Sequence, residues 1–411
     1  MRGKAKFLVA LVAAAGLVAS AGPALASGVG GDWTQADHDA SGNRANTTAI
    51  QITAANAATV TDLRAFGAPT YPVDQFGQCA EGWTGEVVVG KRAYAIKTGR
   101  LAALDLTTGN QLWQRDVDPD GLSRSSVQAV VGGRVFVAQL DCLSASDPNG
   151  TVRAFDAATG APLWTFESDG GVGGTGGIDG IAVDGNLVLA TGTSEGNGLT
   201  VNVLNAATGA VVWSRHGGAC PVAPRIVNGL VYYQACDSGD TELVAARLLD
   251  GAVTWRKTGD FAVTRGDRPG SDSTHVFTNS VAIDSDTGAT RHTLAGATRV
   301  DAVGTNRVFG ACGTVVCAFD KATGARAWTS TIPASVDTID FPSGADFNVR
   351  AAVAATLLYL PTGQVLNTGT GKVVTRLWTG QALSMSVGDG YVLAVLKSSP
   401  RVLDVFGLPG T

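Results

Sequence analysis

The stretch Leu104-Asp105-Leu106-Thr107-Thr108-Gly109-Asn110-Gln111-Leu112-Trp113 decides the fold. An apolar run ends on Asp105, whose short side chain can accept hydrogen bonds from the backbone N–H groups just downstream and start a tight turn. Gly109 supplies the positive φ that closes such a turn into a bulged hairpin. Trp113, four residues past the Gly, then lies on the returning strand. The same register recurs at Asp156…Gly160…Trp164, Asn205…Gly209…Trp213, Arg247…Gly251…Trp255, Asp284…Gly288…His292, Asp320…Gly324…Trp328 and Asn367…Gly371…Thr375. The Gly-to-Gly intervals are 51, 49, 42, 37, 36 and 47 residues.

Upstream of each turn sit two more strand-like runs. Before Gly160 they are Val127–Val131 and Arg134–Ala138, split by Gly132-Gly133. Each repeat therefore reads as a four-stranded antiparallel meander. One such sheet cannot bury both faces by itself, so the repeats must stack. Four strands per repeat of this length predict an all-β fold, a β-propeller. The strands outside the seven turns set the blade count. After Trp378 come Ala382–Val387, Tyr391–Leu396 and Val402–Phe406, three strands with no fourth. Near the other end, Leu63–Phe66 has no partner. Joining the two completes an eighth blade, with the last blade closed by an N-terminal strand, which removes exposed sheet edges.

Composition agrees. The chain of 411 residues has 54 Gly and only 2 Met, with 16% charged and 45% hydrophobic residues. Sparse helix formers and plentiful Gly argue against a helical bundle. The formal net charge of −5 gives nucleic acid nothing basic to bind.

Arg2, Lys4 and Lys6 precede the apolar run Phe7–Val18, and Ala24-Leu25-Ala26 fits a small-x-small cleavage site. Residues 1–26 are expected to be a signal peptide, cut before Ser27. Cleavage would leave 385 residues and move the net charge from −5 to −8. No Cys follows the cleavage site, so a lipid anchor is not expected. No later run is apolar for long enough to span a bilayer. Residues 27–62 read as an N-terminal arm and 63–411 as the propeller. The product is expected to be secreted or associated with the cell envelope, as a monomer.

The Asp-x-x-Thr-Gly-x-x-x-Trp repeat resembles the tryptophan-docking motif of the PQQ-binding-like β-propeller family, which includes quinoprotein alcohol dehydrogenases and BamB-like proteins. The resemblance covers nearly all of the mature chain. It implies that Trp113, Trp164, Trp213, Trp255 and Trp328 each dock on the neighbouring blade. His292 and Thr375 depart from the pattern, so blades five and seven are expected to dock less firmly. Trp33, Asp39, Gly42, Arg44, Ile52-Thr53 and Asn56 are spaced like the segment that opens the propeller in quinoprotein dehydrogenases. The enzymes of the family carry an adjacent Cys-Cys disulfide and longer insertions that bind calcium. This chain has no adjacent Cys pair and little room for insertions.

Six Cys in an exported chain suggest disulfides, with 15 connectivities open to them. Propeller topology places Cys79, Cys142, Cys220, Cys236, Cys312 and Cys317 on one face. The expected pairs are Cys220–Cys236, Cys312–Cys317 and, by elimination, Cys79–Cys142. Any ligand is expected on that face, at the channel mouth, where Trp83, Arg124, Asp179, Arg265, Arg299, Asp301 and Arg350 are the candidate residues. Arg can pair a carboxylate in two-point fashion and Trp83 can stack on a planar ring. The same residues equally suit salt bridges that line and plug the channel. The Asp-rich loops at Asp237–Glu242 and Asp284–Asp286 lack the spacing of a calcium loop. His38, between Asp37 and Asp39, reads as a solvated turn before a metal corner. No G-x-S-x-G or H-E-x-x-H occurs, and Gly170–Gly177 lacks the helix a dinucleotide loop needs.

These observations favour a non-catalytic binding or scaffold module for a protein, peptide or glycan, with no catalytic residues, cofactor or metal expected. The alternative is a PQQ- and calcium-dependent dehydrogenase of alcohols or sugars. Peptide mapping of the unreduced protein should recover the three cystine pairs. Free thiols at all six positions would overturn that pairing.

Overall fold

The computed structural model describes residues 31–68, 82–118, 123–141, 150–168, 178, 180–194, 198–217, 219–235, 242–259, 271–278, 280–334 and 350–411. The expected signal segment, Cys79, Cys142, Cys236, Asp179 and Arg265 lie outside them. So do the side chains of Arg124 and Cys220.

The described strands form eight sheets. Blade 1 is Trp83–Val89, Arg92–Lys97, Arg100–Asp105 and Gln111–Asp116, from centre to rim. Blade 2 is Ser123–Val131, Arg134–Asp141, Gly150–Asp156 and Pro162–Ser168. Blades 3, 4 and 6 repeat this plan, beginning at Gly180–Asp184, Ala219–Val227 and Arg299–Val303. Blade 5 shows three described strands, His275–Thr278, Val281–Asp284 and Thr290–Thr293, with Ser271 bridged to Val276 on the inner side. Blade 7 begins with Ala352–Ala354. Blade 8 combines Ala382–Gly388, Tyr391–Leu396 and Val402–Gly407 with Thr61–Gly67 as its rim strand. The N-terminal strand thus closes the ring, as the unpaired run at Leu63–Phe66 predicts.

The repeat motif works through three atoms. Asp105 Oδ1 accepts from the Thr107 and Thr108 N–H groups at 2.8 and 2.7 Å. Asp156, Asn205, Asp320 and Asn367 hold their turns in the same way. The turn aims the carbonyl that follows the Asp or Asn at the preceding blade. Trp113 Nε1 donates to Ala157 O at 3.2 Å, Trp164 to Ala206 O at 3.1 Å and Trp328 to Thr368 O at 2.9 Å. Trp213 and Trp255 do the same to Leu248 O and Ser285 O. The Gly then serves twice. Gly160 has φ +70°, and a Cβ there would lie 2.5 Å from Trp113 Cε3. The bare backbone is the floor on which the indole rests.

Inside each sheet the ring needs a neighbour of small size. Tyr94, Ala103 and Trp113 pair across three strands, as do Phe136, Ala154 and Trp164, Tyr232, Ala245 and Trp255, and Phe309, Ala318 and Trp328. The central Ala lets the outer two rings tilt together, with centroids 5.8–6.1 Å apart.

Three seams depart from the pattern. At the closure, Arg64 lies over Gly109 and donates to Thr107 O at 2.8 Å. Between blades 7 and 8, Trp378 packs on Phe406 with centroids 5.4 Å apart and donates to Pro361 O. It packs the seam in place of Thr375, with its N–H held by a carbonyl of its own blade. Between blades 5 and 6, His292 lies over Gly324, but its Nε2 reaches no partner.

Trp113 is 8% exposed. Trp113→Ala should cost about 3–5 kcal/mol, because it opens a cavity at the blade 1–2 seam and strands the Ala157 carbonyl. The urea midpoint measures this. A loss below about 1 kcal/mol, the level of an exposed side chain, would show that the indole does not bind the seam.

Candidate functional site

A single chain segment touches every blade. Running from Gly31 to Asn46, the arm follows the inner ends of the innermost strands. Gly31 O accepts from Asp389 N in blade 8, and Trp33 forms a two-way bridge with Val88 in blade 1. Ala36 N donates to Gln128 O in blade 2. The Gln35 amide makes a two-point contact with the Val183 backbone in blade 3, at 2.8 and 2.9 Å. Ala40 O then accepts from Ile226 N in blade 4, and Asn43 O from Val303 N in blade 6. Ser41 and Ser271 exchange side-chain to carbonyl hydrogen bonds beside blade 5. Ala45–Asn46 finally adds a parallel strand to Ala352–Ala354 of blade 7. The arm therefore floors one end of the central channel.

Its turns are fixed by Asp39, which accepts from Ser41 N, Ser41 Oγ, Gly42 N and Asn43 Nδ2. Burial alone would raise the Asp39 carboxyl, but hydrogen bonds from His38 and Ser41 hold it below its ordinary value. The His38 ring packs edge-on against Trp33 and shares a hydrogen bond with Asn43 Oδ1. Among the described residues, no three His, Cys, Asp or Glu side chains come together as a metal cluster.

Charge lines the channel. Asp37 is 6% exposed and lies between two guanidinium groups, Arg44 Nη1 at 2.9 Å and Arg225 Nη2 at 3.0 Å. Arg44 also lies over the Trp33 ring and donates to the carbonyls of Ala351, Arg350 and Met385. A buried carboxylate with two cations and several carbonyls around it meets the demand that buried charge be paired. Gly42 is required here, since a Cβ would collide with the Arg225 guanidinium.

The candidate mouth residues separate in the structure. Arg299 and Asp301 form a two-point pair with each other, at 2.6 and 3.1 Å. Arg350 is buried and reaches the Val300 carbonyl. Trp83 requires a correction. It is 4% exposed, its Nε1 donates to Phe66 O on the rim strand of blade 8, and Lys97 Nζ stands 5.5 Å from its ring. The indole is sealed in the blade 8–1 seam and offers no open face for stacking. Cys312 and Cys317 are joined as expected, across the turn between the second and third strands of blade 6.

Glu86 escapes the sequence reading. It lies on the innermost strand of blade 1, at a bulge between Thr84 and Val87, is 5% exposed, and neither carboxylate oxygen has a hydrogen-bond partner. Burial pushes its carboxyl up to about 7, against the lowering effect of the nearby Ser384 hydroxyl and Arg44 charge. The available signal was one acid, Gly85-Glu86, inside an otherwise apolar strand.

As a cradle for a planar, multiply anionic cofactor and its metal, the described lining does not fit. The Arg44, Arg225 and Arg299 guanidinium groups are engaged by Asp37 and Asp301, Arg350 reaches a carbonyl, and the aromatic candidate is sealed.

Because the Glu86 pKa is raised on folding, its cost is absent below the ordinary carboxylate range. The cost grows as pH rises toward about 7 and is constant above that. Glu86→Gln should therefore raise the urea midpoint at about pH 8 and change it little at about pH 4. A stabilisation equal at both pH values would show that the effect is not electrostatic.

Comparison with known proteins places this geometry. A family described as "Outer membrane protein assembly factor BamB" matches residues 97–268 and 148–386. No curated protein matches the sequence. The structure is similar to BamB from Moraxella catarrhalis, at 16% identity and a TM-score of 0.51, over 86% of this chain and 99% of that one. It is similar to quinohemoprotein alcohol dehydrogenase from Comamonas testosteroni, at 14% identity and a TM-score of 0.64, over 92% and 81%. A europium-containing methanol dehydrogenase gives 15% identity and a TM-score of 0.62, over 92% and 98%. The docking tryptophans, the closing N-terminal strand and the matched span together make the chain a member of the BamB-type family of PQQ-like β-propellers.

Proposed function

We propose that this protein is an exported, non-catalytic β-propeller that acts as a monomer and binds a protein, peptide or glycan at the cell envelope. The observation that carries this reading is the channel. Among the described residues, Arg44, Arg225, Arg299 and Arg350 are engaged by the protein's own carboxylates and carbonyls, and the arm floors one end. A site prepared for a charged substrate would keep some of those donors for the ligand. What a rigid ring offers instead is its rim and its loops, suited to recognition. The family description names an assembly factor of outer membrane proteins, which supports a protein partner first among the three. Export rests on the basic and apolar pattern of residues 1–26. Among the described residues no helix is long and apolar enough to cross a membrane.

The second reading, a PQQ-dependent dehydrogenase of alcohols or sugars, draws on the superposition with the two dehydrogenases. Two measurements separate the readings. Crosslinking of the purified protein in an envelope extract should capture a discrete partner, identified by mass spectrometry. Titration with PQQ and calcium should give no bound quinone absorbance and no dye reduction with alcohols or aldoses. Quinone binding with turnover, and no captured partner, would reverse the assignment.

A further inference from the structure

The blade 5–6 seam is built unlike the tryptophan seams. His292 takes the tryptophan's place on the rim strand, over Gly324, whose added Cβ would lie 2.6 Å from the imidazole Cδ2. Each docking tryptophan gives its N–H to a carbonyl of the next blade, but His292 Nε2 is buried with no partner. A second imidazole stands behind it. The His275 ring lies 5.9 Å from the His292 ring, edge-on, and also packs on Phe277 at 5.5 Å. Phe277 pairs with His292 through Ala282, in the row that holds an aromatic residue, Ala and Trp in four other blades.

The surrounding charges are defined. Blade 5 itself contributes Asp284, which is tied to Arg291 at 2.5 Å and to its own turn, and Asp272, which faces His275 Nδ1 at 3.7 Å. Blade 6 contributes Lys321, which holds Asp272 Oδ2 at 2.7 Å, Asp320, which is committed to the Thr323 turn, and Arg326, which donates to Ala295 O. Each of these carboxylates already has donors of its own. None makes a hydrogen bond or ion pair to His292.

We propose that the blade 5–6 seam is a pH-sensitive joint of the ring, closed when His292 is neutral and loosened when it is protonated. A neutral imidazole can lie flat on the Gly324 floor as a small aromatic ring. An imidazolium in the same place carries a buried Nε2–H with no acceptor, beside a second imidazole. Burial and the neighbouring His275 hold His292 below its ordinary value in the folded state, with Asp320 a smaller opposing influence. The sign follows. Because the folded pKa is depressed, stability is complete above the ordinary imidazole range and is lost as pH falls below about 6.5. The loss is centred on this seam, since the indoles that dock the five tryptophan seams do not titrate. A sector of the ring thereby loosens at mildly acidic pH while the rest stays closed.

Hydrogen–deuterium exchange of the full chain at about pH 8 and about pH 5.5, on either side of the imidazole range and corrected for intrinsic exchange, tests this. Peptides spanning 275–293 and 315–330 should exchange several-fold faster at the lower pH. Peptides spanning 101–116 and 150–168, at the Trp113 seam, should change little. His292→Trp should restore a docking residue and abolish the local pH response. His292→Gln, neutral at both pH values and close in size, should also abolish it and covers the case in which the larger ring does not fit. A pH response equal at the two seams, or one that persists in both variants, would overturn the proposal.

Discussion

The ring depends on an indole lying on a bare glycine. A four-stranded sheet has two apolar faces and no means of covering either, so each blade is stable only between neighbours. The contact that joins them at the rim has three parts. The Asp or Asn side chain sets the turn, the Gly leaves a flat floor, and the carbonyl between them accepts the indole N–H. The cap steadies the turn but is not indispensable, since Leu248 O accepts the Trp213 N–H from a turn that begins with Arg247; with a Cβ on the Gly, however, the ring cannot descend far enough to reach the carbonyl. A residue with high positive φ and no side chain is the sole solution to both demands at once.

At the centre the constraint changes from apolar packing to charge. Innermost strands converge on the channel, and the arm takes up its floor. Hydrogen bonds between an irregular chain and eight strand ends require specific partners at each step, and Asp37 with Arg44 and Arg225 fixes the middle of the path. Buried ion pairs of this kind add little net stability against an apolar core. Their effect here is positional. Arg225 comes from blade 4 and Arg44 reaches carbonyls next to blades 7 and 8, so one carboxylate ties opposite sectors of the ring to the arm.

The blade plan and the closing strand were legible because the motif is local. Asp, Gly and Trp act within ten residues, and Leu63–Phe66 stood out as a strand without a partner. The arm's path was not legible. Its spacing marked Trp33, Asp39, Gly42 and Arg44 as special, but its partners are backbone groups spread from Val88 to Asp389, which carry no sequence signature. Trp83 was misplaced for a related reason. It opens an innermost strand, yet a neighbouring Phe66 carbonyl from the closing strand draws its indole into the seam. Glu86 went unnoticed because a single acid in a strand looks like a solvent-facing residue until the bulge at Thr84–Val87 is seen to turn it inward. The remaining mouth candidates belong to loops whose residues lie mostly outside the described set.

A closed ring shares any opening among all its seams, so its behaviour is set by the seams that differ. Three of the eight use something other than tryptophan on glycine. Trp378 replaces the missing docking residue from a position three residues late and finds Phe406 as its floor, which preserves an apolar joint. Arg64 replaces it with a guanidinium whose charge is permanent and which takes the next carbonyl of the turn, Thr107 O, so that joint keeps a hydrogen bond at every ordinary pH. His292, like Trp378, gives no hydrogen bond to a carbonyl of the next blade, and among these seams it alone places a titratable imidazole on the glycine. The ring therefore combines one permanent polar closure, where the two ends of the chain meet, with one conditional joint on another sector. Such an arrangement keeps the chain ends paired while another sector yields.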